Sequence, residues 1–190
     1  MEQKRCAWVP QNDSLYVAYH DTHWGVPVHD DRALFEMLTL EGMQAGLSWI
    51  IVLRKREGYR KAFDNFDIDQ ILTYDEKKLE ELAKNPEIIR HRLKIASVPQ
   101  NVRAFRSIQI NFGSFDTFIW DYMNHNPLTN HWKNAADIPT TTPLSDKISK
   151  DLKKLGFKFV GSTIIYSFMQ AIGMVNDHTT DCFVYKQMTR

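Results

Sequence analysis

Apolar residues recur along most of this chain at the three- and four-residue spacing of an α-helix. The first strong run begins after Asp30 or Asp31, either of which is suited to cap a helix N-terminus. Gly46 ends this run, and Ser48 is placed to cap a second helix over 48–66. The residues that share the apolar face of the first run are Leu34, Met37, Leu38 and Leu40.

The rest of the chain continues the helical pattern with few interruptions. Pro99 lies inside the longest amphipathic stretch, 90–110, and a proline there predicts a kink or a break. The segment 126–143 combines prolines with several Thr and Asn residues and is typical of a loop. No stretch alternates long enough for a β-sheet, so the pattern predicts an all-α fold. The remaining predicted helices span 69–72, 75–83, 114–124, 145–155 and 162–174.

Length and composition indicate one folded domain. The chain has 190 residues, of which 43% are hydrophobic and 25% charged, which suits a substantial core and excludes a disordered chain. No apolar run is long enough to span a bilayer, and the first residues lack the apolar stretch of a secretory signal. We therefore expect one soluble, cytoplasmic domain over residues 1–190, with reduced thiols and no membrane association.

Four potential metal ligands lie near the two ends of the chain, and they include both cysteines. His178 and Cys182 have the i, i+4 spacing that aims two side chains the same way from a helical turn. Two thiolates and two imidazoles would complete a closed, structural zinc site. The same residues could also be unrelated core residues, or form a disulfide in an oxidising compartment. The four residues are Cys6, His20, His178 and Cys182.

A short turn with a glycine at each end, Gly156 and Gly161, joins the last two predicted helices. Such a turn, followed by a helix N-terminus, exposes backbone N–H groups that bind an anion. Lys158 lies in the turn and further lysines precede it, although the net charge is only +1. The pattern over about 145–174 is that of a helix–hairpin–helix that holds a DNA phosphate without reading sequence. An ordinary helical hairpin with a glycine C-cap explains it equally well.

Glu41 is a carboxylate in an apolar stretch, and burying it without a partner would be unfavourable. Such a residue is either paired within the protein or kept for a ligand. Aromatic walls with one carboxylate suit a flat, cationic ligand. In the alternative, the aromatic residues belong to the core and Glu41 pairs with an arginine. The aromatic residues grouped with Glu41 in the N-terminal part of the chain are Tyr16, Tyr19, Trp24 and Trp49.

Several longer segments resemble the DNA-3-methyladenine glycosylase I family, bacterial enzymes of base-excision repair. The resemblance runs from Cys6 to Cys182 and is weakest in the loop 126–143. The segments are CAW, YVAYHDTHWGVP, LFEMLTLEGMQAGLSWIIVLRKREGYRKAF, IIRHRLKI and GFKFVGSTIIYSFMQAIGMVNDH.

The resemblance implies a single helix–hairpin–helix glycosylase domain with a structural zinc ion that joins the chain ends. It implies that the zinc ligands are Cys6, His20, His178 and Cys182. It implies DNA-backbone contacts at Gly156, Lys158, Gly161 and Ser162. It implies a base pocket formed by Tyr16, Tyr19, Trp24, Glu41 and Trp49, with Trp8 contributing.

The implied reaction is hydrolytic removal of N3-methyladenine from double-stranded DNA, with free 3-methyladenine as product. The base would flip into the pocket and stack between Tyr19 and Trp49. A cationic base needs no proton to leave, so Glu41 is expected to recognise the base first and to activate water second. Asp177 is not assigned as a catalyst. No lysine is positioned for a Schiff base, which predicts a monofunctional enzyme. One compact domain that acts on one flipped base needs no partner, which predicts a monomer. The rival interpretation is a non-catalytic DNA-binding module.

Overall fold

Residues 3–188 are described by a computed structural model, and most of them are helical. Within this range the predicted all-α class is confirmed as a mostly helical fold. The exception is one pair of two-residue parallel strands, β1 (Leu128–Thr129) and β2 (Val175–Asn176). The helices are α1 (Ser14–Thr22), α2 (Asp31–Gln44), α3 (Trp49–Arg54), α4 (Arg56–Ala62), α5 (Ile68–Leu72), α6 (Glu76–Leu82), α7 (Arg92–Phe112), α8 (Phe115–Asp121), α9 (Pro143–Lys154), α10 (Ser162–Ala171) and α11 (Phe183–Met188), with 3-10 turns at Asp64–Phe66 and Ala135–Asp137.

The core forms around α2, which packs against α3, α7, α8 and α10. Leu34, Phe35 and Leu40 on this helix are fully buried, which agrees with its predicted apolar face. Glu41 follows directly on the same helix and is buried as well. Helix α2 therefore carries the carboxyl group of Glu41 into the interior of the fold.

The two cap candidates for α2 have different roles. Asp30 is the N-cap, and its side chain accepts from the N–H of Ala33 at 2.8 Å. Asp31 instead accepts from the backbone N–H groups of Phe115 and Asp116 and so holds the start of α8. Ser48 occupies the predicted N-cap position of α3 but forms no side-chain cap bond.

The single helix predicted over 48–66 is two helices that meet at Lys55. The change of direction brings α4 against the segment that follows α6, where the Lys55 ammonium donates to the Pro86 carbonyl at 2.6 Å. Gly58 permits this approach, since a Cβ there would lie 2.4 Å from the Glu87 carbonyl oxygen. The prediction was wrong because this contact is tertiary and leaves no mark in the local pattern.

Pro99 does not break α7, which runs from Arg92 to Phe112 with the proline inside it. Proline removes one backbone hydrogen bond within a helix. Residues on the same helix, Ile95, Val98 and Val102, are buried, and their packing holds the helix across that point. Of the two predicted effects, the break is wrong, because burial of this face outweighs the missing bond; the kink stays a prediction.

Helices α1 and α11 and the strand pair were not predicted. The two helices lie near the ends of the described chain and approach each other, since the ring centroids of His20 and Phe183 are 6.4 Å apart. Among the residues that the structure describes, no helix is both long and apolar enough to cross a membrane.

Candidate active site

A pocket of about 390 Å³ opens between α1, α2, α3 and α10. All six residues predicted to bind a base line it. The residues that the sequence analysis missed are polar groups of α2 and α10 and one turn of the 126–143 loop. The missed lining residues are Gln44, Ala135, Ile138, Pro139, Thr140, Thr163, Tyr166, Ser167 and Gln170.

Glu41 has no hydrogen bond or ion pair to any residue in the range 3–188, although only 4% of its surface is exposed. The alternative of a structural pair with arginine is not observed. Arg56 and Arg60 instead bind the neighbouring Glu36. Burial without a partner raises the pKa of Glu41 to about 8. The carboxyl group is therefore mostly protonated at neutral pH while the pocket holds no cation.

Aromatic rings form one continuous wall of the pocket. The Tyr19 and Trp49 ring centroids are 5.3 Å apart with the rings tilted by 45°. A base stacked between two rings needs them roughly 7 Å apart, twice an ordinary contact distance. In this structure the two rings therefore leave no room for a base between them, and the predicted stacking between Tyr19 and Trp49 would require the rings to separate. Trp8 and Trp24 extend the wall, with centroids 4.9 Å apart.

The four predicted metal ligands come together and are fully or almost fully buried. Their ligand atoms all lie within 4.8 Å of one another. The Cys182 sulfur is 3.6 Å from His20 Nε2 and 3.7 Å from His178 Nδ1, and zinc bond lengths imply a separation of roughly 3.6 Å in a tetrahedral site. The cysteines are not joined by a disulfide. The residues present therefore fit a zinc ion.

Neighbouring groups orient both imidazole rings of this Cys/His cluster. His20 Nδ1 lies 2.7 Å from a carboxylate oxygen of Asp21, and His178 Nε2 lies 3.1 Å from the Trp24 carbonyl. Each ring then turns its other nitrogen toward the cluster, as metal-binding histidines do. The neighbouring Cys6 thiol lowers the pKa of Cys182, while the same coupling raises the pKa of Cys6, so one of the two sulfurs readily takes the thiolate form.

The Cys/His cluster borders the pocket directly. The Trp24 ring packs edge-on against His178, with centroids 4.6 Å apart, and Trp8 packs against His20 at 5.3 Å. Both tryptophans line the pocket. The cluster therefore supports one aromatic wall from behind.

The predicted hairpin is an α9–turn–α10 unit whose turn is held from outside. The N–H of Gly156, at φ +100°, donates to the Lys153 carbonyl and ends α9. The N–H of Lys158 donates to Asn101 Oδ1 at 2.8 Å. These two backbone donors are already bound within the protein, whereas the Lys158 side chain is exposed. Among the described residues, no hydrogen bond engages the backbone N–H groups of Phe159, Val160 and Gly161, so these donors and those of the first turn of α10 remain for a phosphate.

Gly161 and Ser162 begin α10. Gly161 has an ordinary φ of −61°, and a Cβ there would meet nothing within 4 Å. Neither backbone conformation nor internal packing requires glycine, so the space beside it is suited to the close approach of a ligand. Ser162 bonds to Ser145 at 2.8 Å. A depression of about 540 Å³ next to this turn is lined by Asp146, Ser149, Lys150, Lys153, Lys154 and Ser162.

A larger depression of about 720 Å³ lies between α8 and α9 and shares no residue with the pocket around Glu41. Several of its polar groups are already engaged: the Tyr122 hydroxyl donates to Asp151, and the Lys147 ammonium lies over the Tyr122 ring. The carboxyl group of Glu41, in contrast, has no partner among the described residues. We therefore place the candidate active site in the smaller pocket.

The pocket has room for one flat base. Such a pocket next to a lysine-lined turn is suited to an enzyme that acts on a nucleic-acid base. Comparison with known proteins identifies the group. The chain belongs to the methyladenine glycosylase family, whose model matches residues 8–185.

The relatives agree along nearly the whole chain. DNA-3-methyladenine glycosylase 1 of Escherichia coli K12 is 51% identical over 182 residues, covering 96% of this chain and 97% of that protein. A crystal structure of 3-methyladenine DNA glycosylase I superposes with a TM-score of 0.92 at 53% identity, covering 95% of this chain and 98% of that one. The Staphylococcus aureus enzyme, solved to explain its recognition of 3-methyladenine, gives 0.92 at 35% identity, covering 95% and 96%. The predicted family and enzyme class, a hydrolase of N-glycosyl bonds, are confirmed.

Proposed function

We propose that the protein removes N3-methyladenine from double-stranded DNA by hydrolysing the N-glycosyl bond, and releases the free base. The observation that carries the proposal is the buried, unpartnered carboxyl group of Glu41 in an aromatic pocket. Relatives named for 3-methyladenine support the choice of base. In this proposal the enzyme works in the cytoplasm. It acts as a monomer, because one flipped base occupies one pocket.

Base flipping follows from the depth of the pocket. Glu41 is almost fully buried, so a base that remains stacked in the duplex cannot reach it. The α10 N-terminus and the side chain of Lys158 would hold a backbone phosphate, while Thr163 and Tyr166 on the same helix line the pocket. One helix would thus connect the grip on the backbone to the site of the base.

Selectivity in this proposal comes from charge and from the adenine edge. Methylation at N3 makes adenine cationic, and a cation in the pocket draws the proton off Glu41 and pairs with the carboxylate. Neutral adenine forms no ion pair with the Glu41 carboxylate and so gains no binding free energy from it. The carboxylate would also accept hydrogen bonds from the adenine edge. A cationic base leaves without a general acid, so the pocket needs to bind and orient the base rather than protonate it.

Glycosylases that also cut the strand use an amine nucleophile. No lysine is among the described residues that line the pocket. The buried Lys94 is directed elsewhere, since its ammonium donates to the carbonyls of Met43 and Ala45. These observations support a monofunctional enzyme. A protein–DNA adduct trapped by borohydride would contradict it.

The proposal includes one zinc ion held by Cys6, His20, His178 and Cys182. With four protein ligands it would have no open position for water, and so would act as a structural cross-link. The geometry of the four ligand atoms and of the groups behind the two histidines supports this part of the proposal.

Release of free bases from methylated duplex DNA tests the reaction. We expect the wild type to release 3-methyladenine with little 7-methylguanine, and Glu41→Gln to release 3-methyladenine at least tenfold more slowly. The variant keeps the size of the side chain but cannot become anionic. Chromatography of the released bases measures both. A folded wild type that binds DNA but releases no base would support the rival, a non-catalytic DNA-binding module.

A further inference from the structure

A second buried carboxylate, Asp177, lies behind the pocket and is fully inaccessible to solvent. One of its oxygens accepts from Asn130 Nδ2 and from Trp132 Nε1, both at 2.7 Å. The other accepts from the Tyr166 hydroxyl at 2.6 Å and from Gln170 Nε2 at 2.8 Å. Four donors from two separate parts of the chain thus converge on one side chain.

These four donors come from two segments of the chain, each of which contributes residues to the pocket wall. Tyr166 and Gln170 lie on α10 and line the pocket themselves. Asn130 and Trp132 begin the loop whose later part, from Ala135 to Thr140, contributes further lining residues. Asp177 is therefore the side chain through which the loop wall and the α10 wall are joined.

The hydrogen bonds exclude a role for Asp177 as a base that activates water. A carboxylate has about four acceptor sites, and all four are occupied by protein donors. With no exposed surface, its oxygens also have no room for a water molecule. The group can act on a bound base only through the residues that it holds.

We infer that Asp177 is a positioning residue of the base pocket, which fixes Tyr166, Gln170 and the loop wall for one flat ligand. The inference rests on the proposed function.

The backbone around Asp177 is held independently of its side chain. The Asn130 N–H donates to the Asn176 carbonyl at 3.1 Å, and the Thr180 N–H donates to the Trp132 carbonyl at 2.9 Å. Loss of the carboxylate should therefore loosen side chains in both walls while the chain path and the neighbouring Cys/His cluster persist.

Two substitutions distinguish the positioning role of Asp177 from an effect of its charge. Asp177→Ala removes all four bonds. Asp177→Asn removes the charge, but its oxygen can still accept from Asn130 and Trp132, and its amide can donate to Tyr166 and to a reversed Gln170 side chain. Asp31→Ala is the matched control, because Asp31 also accepts from Gln109 and from the start of α8, far from the pocket.

Each variant is measured in zinc-loaded protein by the single-turnover rate of 3-methyladenine release. Affinity for free 3-methyladenine is followed by tryptophan fluorescence, and a duplex with an abasic-site analogue reports DNA binding. We expect Asp177→Ala to lose at least twentyfold in free-base affinity and in release rate, with DNA affinity within threefold of the wild type. Asp177→Asn should stay within about fivefold throughout. The control should lower the melting temperature and leave both base measurements within twofold.

Base affinity and release within twofold of the wild type for Asp177→Ala would overturn the inference. So would an Asp177→Asn variant that folds but is as inactive as the alanine variant, since charge would then matter. If the alanine variant does not fold, Trp132→Phe decides: it removes one donor from outside the pocket, and unchanged free-base affinity would contradict positioning. A wild type that releases no 3-methyladenine would instead sink the proposed function itself.

Discussion

Burial gives the carboxyl group of Glu41 a proton equilibrium unlike that of an exposed glutamate. Its pKa rises from 4.5 to about 8 because the charged form loses hydration without gaining a partner. The folded state therefore binds a proton that the unfolded state releases between these two values. Glu41 makes folding less favourable as the pH rises from about 4.5 to about 8, and its ionisation is offset only when a cation arrives.

This equilibrium predicts the pH dependence of activity. Binding of a cationic base requires Glu41 to ionise, so kcat/KM should rise up to tenfold per pH unit below pH 8 and level off above it. Glu41→Gln should be slower and nearly independent of pH over the same range. Initial rates of 3-methyladenine release between pH 6 and 9 measure both. An equally steep profile in the glutamine variant would show that another group is responsible.

Gly173 is the residue where a side chain would be least tolerated. Its φ is +73°, and a Cβ would lie 2.4 Å from backbone atoms of Val26 and Pro27. Gly173→Ala should lower the free energy of unfolding by about 2–4 kcal/mol, the sum of backbone strain and overpacking. Gly46→Ala is the control, since Gly46 has a similar φ of +81° but open space around it. Thermal denaturation compares them, and equal losses would mean that packing at Gly173 does not matter.

At the scale of single elements, the two glycines of the hairpin differ in role: Gly156 is structural, and Gly161 is expected to be functional. Gly161→Ser supplies a preferred N-cap residue, so stability should hold or rise. Its hydroxyl would occupy the N–H groups and the space that a phosphate needs, and we expect about a tenfold loss in affinity for a duplex with an abasic-site analogue.

Gly156→Ala provides the contrast within the same turn. Gly156 has a φ of +100°, so the substitution should cost about 1–2 kcal/mol of stability. Its N–H remains bound inside the protein, so DNA affinity measured on the folded fraction should change little. Unchanged DNA affinity in Gly161→Ser would move the phosphate contact away from the α10 N-terminus.

Helices were predictable where a local pattern dominates. The apolar face of α2 and the cap at Asp30 could both be identified from neighbouring residues. The join at Lys55 and the unbroken path through Pro99 depend on contacts with distant segments, which no window of sequence contains. Helix α1 was missed although it carries Tyr16, Tyr19 and His20, because only two of its residues are buried and it has no strong apolar face.

At the scale of the whole molecule, the Cys/His cluster joins residues that are 176 positions apart, from Cys6 to Cys182. Metal removal or Cys182→Ser should lower the free energy of unfolding by about 3 kcal/mol or more, or roughly 6–12 °C in melting temperature. Metal analysis should find one zinc ion per chain in the wild type. Base release by protein that remains folded should largely persist. Zinc-free protein that ignores chelators would contradict the site.

The candidate site was predictable in its chemistry but not in its full extent. Residues of unusual type for their surroundings, such as Glu41 and the paired Cys and His residues, could be selected from the sequence and the resemblance. Gln170 and Ser167 could not be selected from the sequence, because polar residues on a helix usually face solvent. The loop turn at Ile138 could not be selected either, because loops usually lie at the surface. Only the packing of α10 against the 126–143 loop turns them toward a common space.

Helix α10 sets a fixed distance between the hairpin and the pocket. Its first turn lies at the hairpin, and Tyr166 and Gln170 follow on the pocket side roughly 6 and 12 Å along the axis. A single rigid helix cannot stretch, so the held phosphate and the extracted base would always be separated by the same offset along one strand. The protein would act as a ruler, and its footprint on DNA would keep the same register whatever sequence surrounds the lesion.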